Sequence, residues 1–490
     1  MRYLTFIPPH VLLILQILYF ILVCFVCIRV IIDTRSVSKT LAYLLLVVFV
    51  PIFGMAFYFA FGINYRKRRV YRKKHILDQI QKDSFVAKYE EFRADGMLQS
   101  EYFNTYSKLI TLLENKNLGA DLVLPNDEIL VLENGETKFP VLLEALRNAQ
   151  HHIHIEYYIY QNDVIGNTIK DILIAKAQEG VEVRFIYDDF GSLGIRKHFA
   201  KELKANGVQC FPFNKLKLVR LANRMNYRNH RKIVVIDGTT SFVGGINVAD
   251  KYINDVSDKF YWRDTHLMLK GSSTLALQRL FLSDWKFCSG EDITHSTTYY
   301  PTPQNIAYGQ FVQVISGGPD YEMPNVLYAI LQAINVAQEE ILITTPYYIP
   351  DNTLQEALKL AAMSGKKVKL LIPAKGDSVL VSVCMSSFLQ ELLVAGVEIY
   401  QYHKGFVHAK TFVIDGKVAS IGTANMDVRS FDLNFEVMTI IYDEKVALQM
   451  QTTFYNDLKD ATQMTYRIWR KRPKMRKLFE KIIRLISPFL

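Results

Sequence analysis

Two long apolar stretches dominate the start of the chain. Residues 11–28 run for 18 positions without a charge, and residues 41–63 run for 23. As a helix, each stretch is long enough to cross a hydrocarbon core of about 30 Å. A polar turn, residues 33–39, lies between them, so the pattern predicts a transmembrane helical hairpin over residues 1–65. A signal peptide is disfavoured because the second stretch follows too closely, whereas Pro51 and Gly54 leave a re-entrant second segment open.

Basic residues follow this module directly. Seven of the residues 64–74 are Lys or Arg, and they begin a basic juxtamembrane linker that we assign to residues 66–122. These cations outnumber those of the polar turn. The positive-inside rule therefore places the chain from residue 64 onward in the cytoplasm and the hairpin tip outside. The sequence predicts a multi-pass protein of the cell membrane whose main body is cytoplasmic.

Residues 466–490 form a second basic region, with an amphipathic pattern. Six apolar side chains recur there at helical spacing: Met475, Leu478, Phe479, Ile482, Ile483 and Ile486. Lysines and arginines lie largely on the other side of the predicted helix. Packing on the protein's own core is one interpretation, but the strongly cationic polar face favours contact with a membrane surface.

Between these ends the hydrophobic pattern repeats. Residues 153–189 and 341–373 each contain a β-rich run that ends in Tyr-Tyr-Ile, an amphipathic helix, a glycine and another β-rich run. A β-α-β unit implies parallel strands. Two copies of it predict two related α/β domains, which we assign to residues 123–300 and 301–465.

Composition and charge narrow the class of protein. Half of the 490 residues are hydrophobic, which excludes a disordered chain. The net charge of +10 comes from the two ends, and the body between them is acidic, so we expect an anionic membrane partner and no nucleic acid. The five cysteines are an odd count without zinc-type partners, and they predict neither a disulfide framework nor a metal site.

One polar pattern, H-x-K-x4-D-x6-G-[GT]-x-N, occurs twice with identical spacing. Its members are His230, Lys232, Asp237, Gly244, Gly245 and Asn247 in the first copy, and His408, Lys410, Asp415, Gly422, Thr423 and Asn425 in the second. Chance recurrence of six positions in two repeats is negligible. The pattern therefore predicts a single functional site that both copies build.

The spacing suggests what each position does. A histidine and a lysine two apart on a strand point into the same pocket. The aspartate follows the histidine by seven, an odd offset that turns it to the opposite face and favours a structural role. The Asp-Gly pair predicts a hairpin turn. Downstream, Asp264 and Glu436 are candidates to orient the histidines, with ordinary ion pairing as the alternative.

Two imidazoles, two lysines and two asparagines in one pocket suit phosphoryl transfer. One histidine would attack phosphorus, and the other would protonate the departing alcohol and later activate an incoming one. The lysines would supply the electrostatic stabilisation, so we expect no metal and no other cofactor.

The doubled motif resembles that of the phospholipase D superfamily, and the sequence around it is similar to the bacterial cardiolipin synthases. The similar segments are PIFGMAFYFAFGINYRKRR, RNHRKIVVIDG, WRDTH, DLNFE and the terminal RLISPFL. The resemblance implies two pseudo-twofold-related phospholipase D-like domains. It also implies transfer of a phosphatidyl group from one phosphatidylglycerol to another through a phosphohistidine, which gives cardiolipin and glycerol.

The resemblance also carries residue roles. His230 and His408 match the family's histidines, Lys232 and Lys410 its phosphate-binding lysines, and Asn247 and Asn425 its asparagines. We assign His230 as nucleophile and His408 as acid/base, although the symmetric motif leaves the reverse open. Asp237 and Asp415 complete the motif set, with Gly245 and Thr423 as supporting positions. A nuclease or hydrolase of the same superfamily and a non-catalytic lipid-binding scaffold are the alternatives, and the oligomeric state stays open.

Overall fold

The structure is a computed structural model. It describes residues 8–34, 37–61, 74, 83, 101–115, 118, 120–215, 227–254, 260–294, 296–301, 310–485 and 487. The chain divides into an N-terminal helical unit and an α/β unit that spans Lys74–Lys215 and Tyr227–Pro488. Most of the linker predicted over residues 66–122 lies outside the described residues.

The helical unit differs from the predicted hairpin in its second segment. Its helices are α1 (Pro9–Asp33), α2 (Val37–Phe49) and α3 (Pro51–Phe61). Among the described helices, α1 is the one that is long and apolar enough to cross a membrane. The second apolar stretch is not one continuous helix, because it breaks at Pro51, which has no backbone N–H and disfavours the helical conformation of the residue before it.

The α/β unit begins with helix α4 (Glu101–Leu113) and then contains two halves of matching order. The first half contains β1 (Ala120–Glu133), α5 (Asn134–Arg147), β2 (His152–Tyr157), α6 (Val164–Gln178), β3 (Glu182–Asp188), α7 (His198–Ala205), β4 (Gln209–Phe213), β5 (Ile233–Ile236), β6 (Thr240–Gly244), β7 (Tyr261–Arg263), β8 (Thr265–Gly271) and α8 (Ser273–Ser289).

The second half repeats this order. It contains β9 (Gln310–Gly317), α9 (Asn325–Val336), β10 (Glu340–Thr344), β11 (Tyr348–Ile349), α10 (Asn352–Met363), β12 (Lys367–Pro373), α11 (Val379–Ala395), β13 (Glu398–Tyr402), β14 (Gly405–Val407), β15 (Thr411–Ile414), β16 (Val418–Gly422), β17 (Met426–Asp427), α12 (Val428–Asp432), β18 (Glu436–Tyr442) and α13 (Glu444–Asp457). It ends with β19 (Ala461–Met464), α14 (Tyr466–Trp469) and α15 (Lys474–Arg484).

One sheet runs through both halves. In the described part of the chain it has fifteen strands, in the order β19-β13-β12-β10-β15-β16-β18-β9-β1-β8-β6-β5-β2-β3-β4. Strands β1 and β9 pair antiparallel at its centre, and equivalent strands lie outward from them on each side. The pseudo-twofold axis therefore passes between β1 and β9, as two related α/β domains require. As the β-α-β pattern predicted, β2 pairs parallel with β3, and β10 pairs parallel with β12.

Helices cover both faces of this sheet. Strands β2, β5, β15 and β18 are buried along their whole length. Burial on both faces explains the continuous apolar sequence of β5, whereas β2 buries the polar side chains of His152, His154 and Glu156. Residues of α5 and α6 pack in a core cluster of the first half, whereas α8 and α13 share a central cluster with strands of both halves. The motif histidines and lysines lie in the segments just before β5 and β15, which join them to this covered sheet.

The predicted C-terminal helix forms as α15. Its carboxyl end is fastened to α11, since the Arg484 guanidinium bonds to the Glu391 carboxylate at 2.6 Å. Ile483 packs against the core, but Met475, Leu478, Phe479 and Ile482 are each at least half exposed. The packing on the protein's own core is therefore partial, and an apolar face remains in solvent.

Candidate active site

The two motif strands form matching hairpins. Strands β5 and β6 are joined at Asp237 and Gly238, and β15 and β16 at Asp415 and Gly416. All four turn residues have positive φ values, between 54° and 67°, the conformation of a type I′ turn. This geometry explains why the sequence places Asp-Gly there.

The carboxylates of Asp237 and Asp415 accept their hydrogen bonds at the turn end of these hairpins, away from the histidines. Each carboxylate accepts hydrogen bonds from three consecutive backbone amides, residues 150–152 for Asp237 and residues 338–340 for Asp415, at 2.7–2.9 Å. Each aspartate thus fastens its hairpin to the start of β2 or β10. The structure does not bring either of them to the histidines.

The backbone at each motif histidine forms a strand-like hydrogen bond with the other half. The His230 N–H donates to the Phe435 carbonyl at 2.9 Å, and the His408 N–H donates to the Arg263 carbonyl at 2.6 Å. Strand β14, just before His408, pairs parallel with β7 of the first half. The residue that follows each of these carbonyl groups is an acid, so this pairing sets a carboxylate beside each histidine.

The histidine–carboxylate pairs therefore cross between the halves. His230 Nδ1 lies 3.0 Å from Glu436 Oε2, and His408 Nδ1 lies 2.6 Å from Asp264 Oδ2. Both carboxylates are fully buried. A carboxylate at Nδ1 holds the proton on that nitrogen and leaves Nε2 as the nitrogen with a free lone pair. At His408, Lys410 Nζ also lies 2.8 Å from Nδ1, so the Asp264 carboxylate and the Lys410 ammonium compete for that nitrogen. The assignment of Nε2 as the reactive nitrogen rests on the carboxylate contact, which both histidines have.

The motif lysines lie beside the histidines and are buried. Lys232 Nζ donates to the His230 carbonyl and Lys410 Nζ to the His408 carbonyl, both at 2.5 Å. Burial lowers the pKa of Lys232 to about 7 and that of Lys410 to about 8, although Glu436 and Asp264 oppose the shift. An anion bound beside the two ammonium groups would raise both pKa values further, as the two carboxylates do.

The charges of the pocket act on both histidines. Burial lowers the pKa of His230, and it lowers that of His408 to about 3 with help from Lys410. Each lysine also lowers the pKa of the histidine in the other half, which shows that the two motifs share one electrostatic environment. Burial alone would raise the pKa values of Glu436 and Asp264, but the neighbouring histidines and lysines hold them below their usual range. The resting site thus has ionised carboxylates and neutral imidazoles.

The asparagines and supporting positions lie at the end of the returning strands. The Asn247 side-chain oxygen accepts from the Ile159 amide at 3.1 Å, and the Asn425 amide nitrogen donates to Asp427 at 3.1 Å. The Thr423 hydroxyl donates to Glu436 at 2.5 Å. At the equivalent position, Gly245 leaves room for the Asp264 carboxylate, which any Cβ there would strike.

The sequence analysis missed three side chains at this site. The Tyr158 ring lies 4.8 Å from the His230 ring, and the Trp262 ring lies 4.9 Å from the His408 ring, so each histidine has an aromatic neighbour. Arg231 lies inside the first motif and is fully buried. The signal for Arg231 was available, because the second motif has Ala409 at that position and a buried arginine needs partners.

Two expectations from the sequence concern a metal site and disulfides. Within the described ranges, no group of three or more His, Cys, Asp or Glu side chains could hold a metal ion. The described cysteines are all free. The site as built is a set of imidazoles, ammonium groups and carboxylates.

Comparison with known proteins identifies the class. The family described as "Cardiolipin synthase, PLD-like domain" matches residues 142–273 and 330–458, and "Phospholipase_D-nuclease N-terminal" matches residues 17–62. The solved structure of phosphatidylserine synthase from Haemophilus influenzae Rd KW20 shares the fold, with a TM-score of 0.60 at 16% identity over 79% of this chain and 100% of that one.

Relatives of higher sequence identity are named cardiolipin synthases. The chain is 40% identical to a cardiolipin synthase of Geobacillus sp. (strain WCH70), over 96% of this chain and 92% of the relative. It is 40% identical to cardiolipin synthase 2 of Bacillus anthracis, over 94% and 88%. It is 39% identical to the major cardiolipin synthase ClsA of Bacillus subtilis (strain 168), over 96% and 98%. The chain belongs to the cardiolipin synthase family of phosphatidyl-transferring enzymes, which confirms the resemblance that its motifs indicated.

Proposed function

We propose that this protein joins two molecules of phosphatidylglycerol into cardiolipin and glycerol, with a phosphohistidine as intermediate. The observation that carries the proposal is the pair of crossed histidine–carboxylate contacts around one pocket. Each contact leaves an imidazole Nε2 available, and two such nitrogens are what a two-step transfer needs. The family supplies the reaction type, and the geometry supports a role for each residue.

In the first step, His230 Nε2 attacks the phosphorus of one phosphatidylglycerol. The N–P bond forms, the bond from phosphorus to the glycerol oxygen breaks, and the His408 imidazolium donates its Nε2 proton to that oxygen. Glycerol leaves with the proton. The substrate phosphate and Asp264 both favour the protonated form of His408 once the phosphate is bound, against the burial that keeps it neutral in the resting site.

In the second step, neutral His408 accepts the proton of a hydroxyl group on the second phosphatidylglycerol. The resulting oxygen attacks phosphorus, the N–P bond breaks, and neutral His230 is regenerated. Lys232 and Lys410, with Asn247 and Asn425, stabilise the negative oxygens of the phosphoryl group in both steps. Atoms and protons balance over the cycle without any additional reactant.

We further propose that the protein acts at the cytoplasmic face of the cell membrane. Helix α1 anchors it, and the cations of residues 64–74 favour the cytoplasmic side. The exposed apolar side chains of α15, next to its lysines and arginines, would lie on the surface of an anionic bilayer. Binding of the α/β unit to phosphatidylglycerol vesicles, weakened in Leu478→Ser, Phe479→Ser and by added salt, tests this contact.

A lipid product assay tests the reaction. Full-length protein in detergent–lipid micelles receives phosphatidylglycerol alone, in EDTA, and thin-layer chromatography follows the products. Cardiolipin with equimolar glycerol is the expected result. Phosphatidate with glycerol would instead show that water accepts the phosphatidyl group and that the protein is a hydrolase. Absence of any product from folded protein would overturn the proposal and favour the scaffold.

A further inference from the structure

Arg231 distinguishes the first motif from the second, both in sequence and in contacts. Its guanidinium is fully buried, with Nε donating to the Glu436 carbonyl at 3.2 Å and Nη2 donating to the Gly317 carbonyl at 3.4 Å. Its remaining partner is the Asp284 carboxylate. Arg231 thus contacts the backbone of the residue whose carboxylate faces His230. At the same position the second motif has Ala409, which is buried and offers no such contact.

Lys74 completes the group of charges around Arg231. Lys74 is 4% exposed, and its ammonium lies 3.0 Å from the Ser283 hydroxyl, 3.2 Å from the Asp284 carboxylate and 3.4 Å from the Asp320 carboxylate. Burial and the nearby Asp284 raise the pKa of Glu156, the fifth group, and so favour its protonated form, whereas Arg231 opposes this shift. Among the described residues, two cations and two anions thus lie together at buried positions, where an unpaired charge is costly.

We propose that Lys74 and Arg231 are positioning residues, which hold Glu436 against His230 from behind the strand. Lys74 fixes Asp284, Asp284 fixes the Arg231 guanidinium, and Arg231 fixes the Glu436 backbone. The inference rests on the proposed role of His230. It makes the first motif dependent on a residue that precedes both α/β domains in the sequence, and it leaves the second motif free of that dependence.

Lys74→Met in the full-length protein tests this chain of contacts. We expect kcat to fall at least about tenfold with KM within about twofold, because substrate binding is untouched while a transition-state group is displaced. A displaced Glu436 no longer raises the pKa of His230, so the acid limb of the kcat/KM profile should move to lower pH. Lys170→Met is the matched control, since Lys170 is also buried and ion-paired but contacts Glu202 on an outer helix.

A conservative variant distinguishes positioning from simple loss of stability. Lys74→Arg keeps a cation beside Asp284, and its kcat and acid limb should be closer to those of the parent than those of Lys74→Met are. The proposal is overturned if Lys74→Arg is no better than Lys74→Met, if the acid limb of Lys74→Met does not move, or if Lys170→Met has the same effect. If the parent protein makes no cardiolipin, the proposed function fails first and independently.

A different observation concerns the helical unit. The Tyr58 hydroxyl of α3 donates to the Asp33 carboxylate at the end of α1, at 2.9 Å. The rings of Tyr43 and Tyr58 lie 5.4 Å apart, and Gly54 fits against the Leu46 carbonyl so closely that a Cβ would collide with it. Helix α3 therefore folds back along α2 and returns toward the end of α1 where α2 began.

The lengths agree with this course. At 1.5 Å per residue, α2 spans about 20 Å and α3 about 16 Å, and neither crosses a core of about 30 Å. We infer that α1 crosses the membrane once and that α2 and α3 form a re-entrant pair. The Asp33 end of α1 then lies on the same side as the Phe61 end of α3.

Cysteine labelling in intact cells decides between this course and the hairpin. Single cysteines replace His10, Thr34 or the exposed Lys201 in an active cysteine-free background, and a membrane-impermeant maleimide is added. We expect His10→Cys to be labelled in intact cells, and Thr34→Cys and Lys201→Cys only after permeabilisation. Labelling of Thr34→Cys with protection of His10→Cys would restore the hairpin, and protection of both would show that α1 does not cross.

Discussion

The two copies of the motif have the same backbone arrangement. The carboxylates that face their histidines, however, are held by different residues. Glu436, which faces His230, accepts a bond from the Thr423 hydroxyl and is held through its carbonyl by Arg231. Asp264, which faces His408, is one methylene shorter and occupies the space that Gly245 leaves. The comparison teaches that a pseudo-symmetric pocket can assign different tasks to its halves through the residues behind the histidines.

Loss of either histidine should have the largest effect and should show which copy is the nucleophile. We expect His230→Asn and His408→Asn each to lower kcat by about 10⁴-fold or more, since each removes a group that acts in both steps. After an acid-free quench of labelled phosphatidylglycerol, His408→Asn should retain some phosphatidyl-enzyme and His230→Asn none. Substantial cardiolipin synthesis by either variant would contradict the two-histidine mechanism.

Loss of a lysine should cost less. Lys232→Met and Lys410→Met each remove one preorganised cation, for which about 10²–10³-fold in kcat is the usual size. The effects should be similar, because both ammonium groups face the same phosphoryl oxygens. Steady-state kinetics measure both, and Lys366→Met, at a partly exposed position away from the site, is the control. A tenfold inequality between the two motif variants would show that the phosphate binds asymmetrically.

Variants of the two carboxylates should distinguish the roles of the two histidines through the pH dependence of kcat/KM. Glu436→Gln and Asp264→Asn should each lower kcat by about 10²-fold, because the histidine loses the group that orients it. Each also lowers the pKa of its histidine, since each carboxylate favours the protonated imidazole. A nucleophile must be unprotonated, so Glu436→Gln should move the acid limb of kcat/KM to lower pH. An acid must be protonated, so Asp264→Asn should move the alkaline limb to lower pH. Exchanged signatures would exchange the two roles.

Variants of the supporting positions Thr423 and Gly245 should have the smallest effects. One variant removes a hydrogen bond, and the other adds a methyl group. Thr423→Val removes a hydrogen bond to a buried carboxylate, which is worth about 1.5–3 kcal/mol. Gly245→Ala adds a methyl group where Asp264 lies, and overpacking of this kind costs about 1–3 kcal/mol. Thermal unfolding and kcat measure both, and Thr423→Ser, which keeps the hydroxyl, should stay close to the parent. An unaffected Gly245→Ala would show that Asp264 has another position open to it.

The sequence predicted much of this fold because its signals are local. The Asp-Gly turns, the motif spacing and the β-α-β order all depend on residues near one another in the chain, and the structure has them. One local detail was wrong. Tyr-Tyr-Ile does not align between the repeats, because Tyr160 and Tyr348 are the equivalent residues, paired with Val248 and Met426. A shift of two residues keeps every side chain on its face, so alternation alone does not reveal it.

What the sequence did not predict is long-range. Nothing in the spacing says that Glu436 faces His230 rather than His408, because that depends on which loops pair across the pseudo-twofold axis. Likewise, the apolar length of residues 41–63 cannot distinguish one crossing helix from two short ones. The outcome depends on Pro51 and on the fit of Gly54 against Leu46.

The crossed histidine–carboxylate pairs make the two halves dependent on each other. Neither half contains a histidine together with its own carboxylate partner, so a half released by cleavage between α8 and β9 would be inert until it met its complement. Each half therefore constrains the mutations that the other can accept at these four positions.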